Sequence, residues 1–443
     1  MTNKQTKYVI TFLSVVSSIA GFIFTGICAY PYGIHWDSGW VFSHIYNDEH
    51  LYINNWMGWY YPNLWALLYK TTGIPHIVGV LQNILYWSSL LSIFLVKCKK
   101  TWKSYIAYLI FAYFPLNLLF ITNITNNALL YSFLLLSLSL YLISNYYNKR
   151  YLFLSLFFLL NCIFIRRDAF FIVIPITILI LYIQFCNWMS YKKAFFMATT
   201  YVILTICFIT TIEHLVTDKK YQKVNSIQLI AIVDFTGMSY QQDSCYWPAN
   251  IISSDYTPEK VLTKLNMTSN IYDDITTFYN YGLNDCLKTK YFLNPNMHNF
   301  IPIYLSNLRE YIIWKYSMIQ HILTNSKAIL FDCHGMNGIN YPYNGPKLLH
   351  NKIAYWLPKI LNTGLLYLAI ITLLILCDIN GFIFYTNPTT KFFSRSIVLL
   401  CLLSIVMTLI CQTSVQIRYI VPYILIILGV YTYNLGNNKT VST

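Results

Sequence analysis

The chain has 443 residues, of which 56% are hydrophobic and 10% charged, with a mean hydropathy of +0.48. That balance excludes a water-soluble globular fold of this size and points to a membrane. The net charge of +14 does not point to nucleic acid, because the lysines and arginines form short clusters between apolar runs instead of one long basic tract.

The first apolar run, "YVITFLSVVSSIAGFIFTGICAY", is longer than a signal-peptide core and has no small-residue cleavage site before "PYG", so it reads as a retained first span. Runs of similar length recur along most of the chain, each able to cross ~30 Å of hydrocarbon. The pattern predicts an all-α polytopic membrane protein with about ten transmembrane helices, near residues 8–30, 76–96, 103–122, 126–145, 151–165, 169–188, 195–215, 360–377, 396–412 and 417–434. The cations of the short connections are Lys4 and Lys7, then Lys97, Lys99, Lys100 and Lys103, then Lys149 and Arg150, Lys192 and Lys193, and finally Lys391 and Arg395. All fall on one side, which the positive-inside rule makes cytoplasmic. Both termini are then inside. An N-terminal membrane module at 1–216 carries a first outer loop at 31–75, a mixed extracytoplasmic loop domain occupies 217–358, and membrane helices close the chain at 359–443. The large loop has turn signals such as "NPN" and "YPYNGPK" and a helix-like stretch, "IPIYLSNLREYIIWKYSMIQHIL".

The first outer loop concentrates ionisable groups that the rest of the chain avoids. "YPYGIHWDSGWVFSHIYNDEHLYINNWMGWYYPNL" holds three carboxylates and three histidines among tryptophans and tyrosines. Asp37 follows the first span closely enough to stand near the outer headgroups, where a lipid-linked phosphate would be. Flanked by His35, Trp36 and Trp40, it sits where a carboxylate keeps enough basicity to take a proton from a hydroxyl. Asp48 and Glu49 form a second acidic step. The same acids fit a plain non-cytoplasmic loop edged by an interfacial aromatic belt.

Three arginines oppose the charge rule. Arg166 and Arg167, in "CIFIRRDAFF", stand at the outer end of the fifth span, and Arg418, in "QIRYIVPYI", at the outer start of the last. A cation there needs a partner, and the planar guanidinium fork suits phosphate; an ion pair with Asp168 or with headgroups is the plainer reading for the Arg166–Arg167 step. In the large loop, His298, His321 and His334 with Asp332 lack helical ligand spacing, so no metal and no cofactor is expected. The eleven cysteines include no CxxC pair. Cys245, Cys286 and Cys333 share the outer loop and can pair there; Cys245–Cys286 is the preferred pairing because it closes a moderate loop.

The arrangement resembles the GT-C superfamily of integral-membrane glycosyltransferases. The residues that carry the likeness are the acid of "HWDSGW" after the first span, the later "WYYPNLWALLYK", the segment "YNKRYLFLSLFFLLNCIFIRRDAFFIVIPITI", and the closing "QIRYIVPYI" with Arg418 and Tyr419. The resemblance implies a GT-C-like arrangement of the helices, with Asp37 as catalytic base, or the Asp48–Glu49 dipeptide in its place. It further implies a polyprenyl-phosphate-linked sugar as donor, bound through His35, Trp36, Arg166, Arg167, Arg418 and Tyr419. The acceptor would be a surface polysaccharide such as O-antigen, as for serotype-converting glucosyltransferases of the bacterial inner membrane. An O-antigen polymerase or ligase, a protein O-glycosyltransferase, and a lipid or solute transporter are the rival readings.

Overall fold

The computed structural model describes residues 3–29, 33–34, 38, 41–42, 45–46, 60–97, 100–166, 169–186, 188–216, 226–249, 251–266, 283–287, 300–324, 364–383, 385, 388–411 and 420–435. Among them helix dominates. The membrane module runs α1 (Asn3–Ala29), a two-residue strand β1 (Gly33–Ile34), α2 (Tyr60–Thr72), α3 (Ile77–Lys97), α4 (Trp102–Ala112), α5 (Pro115–Ile121), β2 (Asn123–Ile124), α6 (Asn126–Tyr146), α7 (Arg150–Ile165), α8 (Phe170–Cys186) and α9 (Tyr191–Val216). Then come α10 (Ser226–Gln242), α11 (Pro258–Asn266), a 3-10 turn at Leu283–Cys286, α12 (Ile301–Ser306) and α13 (Leu308–Thr324). The chain closes with α14 (Gly364–Ile379), α15 (Pro388–Cys411) and α16 (Val421–Leu435).

Where they are described, the residues of the expected spans are mostly helical. Four stretches are long and apolar enough to cross a bilayer: Lys4–Ile27, Ile77–Val96, Asn126–Tyr146 and Thr390–Leu409. Arg150–Ile165, Phe170–Cys186, Leu365–Ile379 and Val421–Asn434 are apolar but shorter. The described residues are thus almost entirely helical, and several of the helices are apolar enough to suit a multi-pass membrane protein.

Helix α1 shows which solvent the bundle is made for. Tyr8, Phe12, Val16, Ile19, Ile23 and Ile27 recur at helical spacing and are exposed, Phe12 by 67% and Ile27 by 72%. The opposite stripe, Ser14, Ser18, Gly21 and Thr25, is small or polar and faces the bundle. In water that would be inside out; in lipid, small residues let helices approach and hydroxyls bond between them. Thr25 donates to Asn83 Oδ1 at 2.9 Å and accepts from Trp87 Nε1 at 3.2 Å, tying α1 to α3. Ser17 bonds the Tyr105 hydroxyl at 2.7 Å, Ser18 bonds that of Tyr108, and Tyr113 donates to the Ser17 carbonyl at 2.6 Å, tying α1 to α4. At Gly21 the approach is closest: a Cβ there would stand 2.2 Å from the Trp87 ring. Gly21→Val is therefore expected to separate α1 from α3 and to cost about 1–3 kcal/mol, read as a lower unfolding temperature in detergent, whereas Ile19→Val on the outward face leaves it unchanged.

The expected span at 103–122 is not one helix. Pro115 has no N–H to donate to Phe111 and its ring crowds that carbonyl, so α4 stops and α5 restarts with the proline in its first turn. The freed Phe111 carbonyl accepts from Asn117 Nδ2 at 2.7 Å and from the Phe114 amide at 3.2 Å.

Among the described residues of the 217–358 segment, helices are joined by turns and loop, with one isolated antiparallel bridge, Ile252 with Leu287. Its centre is a buried ion pair. Lys315 Nζ of α13 lies 2.7 Å from Asp234 Oδ1 of α10, while Trp314 Nε1 and the Tyr304 hydroxyl donate to the same carboxylate at 3.1 and 3.2 Å. Burial pushes the Asp234 carboxyl above its ordinary pKa while the lysine and the two donors pull it down. The expected Cys245–Cys286 disulfide is not formed: both are free thiols, and burial pushes each above the usual thiol pKa. Cys333 lies outside the described residues.

Arg395 also departs from its expected role as a free orientation charge. Its Nε and Nη2 hold Asp378 Oδ2 and Oδ1 at 3.0 and 2.9 Å, joining α14 to α15 across the turn that Gly381 makes with φ +76°. The pair is formally neutral.

Candidate functional site

The described part of the segment expected to be the first outer loop is pinned at several points. Gly33 and Ile34 pair in parallel with Asn123 and Ile124, so the chain leaving α1 is laid beside the α5–α6 junction. Further on, Ser38 is buried and accepts from the Tyr61 hydroxyl of α2 at 3.1 Å. Val41, Phe42 and Ile45 are buried as well, with the Phe42 ring 5.3 Å from Trp65 and 5.5 Å from Tyr69. Trp65 Nε1 donates to the Pro75 carbonyl at 2.8 Å, which fixes the far end of α2 against the entry to α3. The "WYYPNLWALLYK" element therefore acts as a clamp: Tyr61, Trp65 and Tyr69 recur every four residues on one helix face, and the loop packs on that face.

Helix α2 also reaches α7. Tyr60 packs edge-on to Phe133 of α6 at 6.3 Å, and burial together with the neighbouring Cys162 of α7 pushes its hydroxyl pKa up. One turn beyond Cys162, the helix ends at Arg166, whose backbone is extended (φ −154°, ψ 122°) and whose amide closes the last turn on the Cys162 carbonyl at 3.0 Å. Arg166 is 8% exposed, and its carbonyl accepts from the Ala169 amide at 3.1 Å. A buried arginine at a helix end, one turn beyond the point where α7 meets Tyr60 of α2, places a guanidinium where water is largely excluded.

No protein-family model, no curated protein and no solved structure matches the chain. The candidate site therefore stands on its own geometry.

Of the residues expected to form the site, the structure describes Arg166. His35, Trp36, Asp37, Asp48, Glu49, Arg167, Arg418 and Tyr419 lie outside the described residues, as do His298, Asp332 and His334. Some of their chain neighbours are described: Ile34, which pairs with Ile124, precedes His35, Ser38 follows Asp37 and is held by Tyr61, Arg166 precedes Arg167, and Ile420 follows Tyr419, is buried, and accepts from the amides of Tyr423 and Ile424 as α16 begins. Sequence reading missed Tyr60 and Tyr61 as anchors of the loop. Their four-residue spacing from Leu64 and Trp65 was a signal that could have found them.

Proposed function

We propose that the chain is an inverting glycosyltransferase of the bacterial inner membrane. It moves a hexose, glucose being the first choice, from a polyprenyl-phosphate carrier to a surface glycan such as O-antigen on the outer side. The observation that carries this reading is the buried Arg166 at the end of α7, one turn beyond the contact of α7 with α2, the helix that clamps the loop after α1. The reading also rests on the GT-C-like order of motifs, on ten spans, and on the orientation that makes this end of the bundle periplasmic.

In the proposed reaction the donor tail lies between helices and its phosphate meets arginine. Asp37 takes the proton of the acceptor hydroxyl as that oxygen attacks the anomeric carbon. The bond from the anomeric carbon to the phosphate oxygen breaks, and polyprenyl phosphate leaves with the electron pair. Charge then grows on the phosphate oxygens, which is where a preformed guanidinium stabilises the transition state. Asp48 and Glu49 orient sugar hydroxyls, with His35 and Trp36 lining the sugar, and Arg167, Arg418 and Tyr419 completing the donor site.

The test is donor binding. Arg166→Ala is expected to weaken binding of polyprenyl-phosphate glucose by about tenfold or more, since a hydrogen bond to a charged group contributes about 1.5–3 kcal/mol. Arg166→Lys recovers part of the loss, because it keeps the charge without the fork. Unchanged affinity in a folded Arg166→Ala protein makes the arginine structural and removes the support on which the reading stands.

A further inference from the structure

At the opposite end of the bundle lies a half-open cleft of about 180 Å³ with an almost wholly apolar lining. Six helices contribute to it, and each contributes the same end. Phe94 comes from the last turn of α3, Ser104 from the first turn of α4, Asn145 from the last turn of α6, Ile183 from the last turn of α8, Thr390 from the first turn of α15 and Thr432 from the last turn of α16. Those are the ends that adjoin Lys97 to Lys103, Lys149, Arg150 and Lys391. Lys100 marks the mouth: its ammonium is 4.7 Å from the centre of the Phe94 ring and donates to the Phe94 and Leu95 carbonyls at 2.6 and 2.9 Å. Lys103 and Lys391 are exposed and stand next to Ser104 and Thr390, both of which line the cleft. The acid of this region, Asp378, is held by Arg395.

An apolar slot of this size is large enough for a hydrocarbon guest, since an apolar cavity of ~150 Å³ takes benzene. The basic mouth selects the charge of what the hydrocarbon is attached to. We infer that the cleft takes one acyl chain of an anionic phospholipid from the leaflet at the basic end, with the phosphate against the lysines. The site is separate from the proposed transfer site. It bonds α15 and α16 to α3, α4 and α6 through a lipid, and it requires no sugar chemistry.

The experiment uses the purified full chain in detergent with phosphatidylglycerol carrying a photoactivatable diazirine near the end of one acyl chain. Adducts are expected on lining residues such as Leu138, Ile397 and Val430. Unlabelled phosphatidylglycerol should compete better than phosphatidylcholine of the same chains by about fivefold per lysine, the factor given by ~1 kcal/mol for a basic side chain at an anionic surface. Lys103→Gln combined with Lys391→Gln should erase most of that preference while leaving the adduct positions unchanged. Adducts confined to outward residues such as Phe12 and Phe208 overturn the inference, and so does equal competition by the two phospholipids. Stronger competition by polyprenyl phosphate than by phosphatidylglycerol also overturns it, by making the cleft a seat for a prenyl tail. Because binding is read without transfer, failure here leaves the enzymatic proposal standing, and the reverse holds too.

Discussion

Asp37→Asn is expected to lower sugar transfer by roughly 10²–10⁴-fold, the usual contribution of a positioned general base, with expression and donor binding close to wild type. Asparagine keeps the size and much of the hydrogen-bonding shape of the side chain but accepts no proton from the acceptor hydroxyl. The next residue, Ser38, is buried under the Tyr61 hydroxyl, so the substitution sits beside a fixed point of the loop and leaves that bond in place. Asp48→Asn and Glu49→Gln are expected to have smaller effects. Transfer measured for the three variants under the same conditions separates the possibilities. Full activity in Asp37→Asn with loss in the Asp48 or Glu49 variant moves the base to the second acidic step, and full activity in all three makes the loop a plain acidic edge.

The second large effect concerns stability. Lys315→Met is expected to cost about 3–5 kcal/mol, because it leaves the Asp234 carboxylate buried with its ion partner gone. Trp314 and Tyr304 still donate to that carboxylate, but two neutral donors do not replace the cation. Asp234→Leu combined with Lys315→Met removes both charges and should recover most of the loss, since a buried pair contributes little net stability over apolar residues that fill the space. Thermal unfolding of the two proteins in the same detergent decides the matter. A single variant as stable as wild type, or a double variant as unstable as the single, contradicts the assignment of this pair as what holds α10 to α13.

Which features were readable from sequence follows from how local their causes are. The helices of the membrane module show in runs of apolar residues, and the two faces of α1 show in its own four-residue spacing, because lipid exposure repeats with the helix turn. The break before Pro115 was equally local and was masked by the apolar run around it, since hydropathy carries no record of a missing N–H. Asp378 with Arg395 and Asp234 with Lys315 are different in kind. Each lone charge in an apolar window was visible, as in "LIAIVDFTGM" and "YIIWKYSMI", yet its partner lay 17 residues away in one case and on another helix in the other. At the site, sequence identified an arginine out of place and an aromatic element near it. It did not reveal that Tyr61 holds Ser38 or that Tyr60 packs on Phe133 near Cys162, because those contacts are made by tertiary packing of α2 on the loop, α6 and α7.

The central claim is tested most directly by supplying the purified protein with polyprenyl-phosphate hexose and a surface-glycan acceptor and determining the anomeric configuration of the product. The account predicts transfer of one hexose with the configuration at the anomeric carbon opposite to that in the donor, lost in Asp37→Asn. Transfer with retained configuration, or from a polyprenyl-pyrophosphate glycan but not from the monophosphate donor, or no transfer at all from a folded protein that binds the donor, contradicts it.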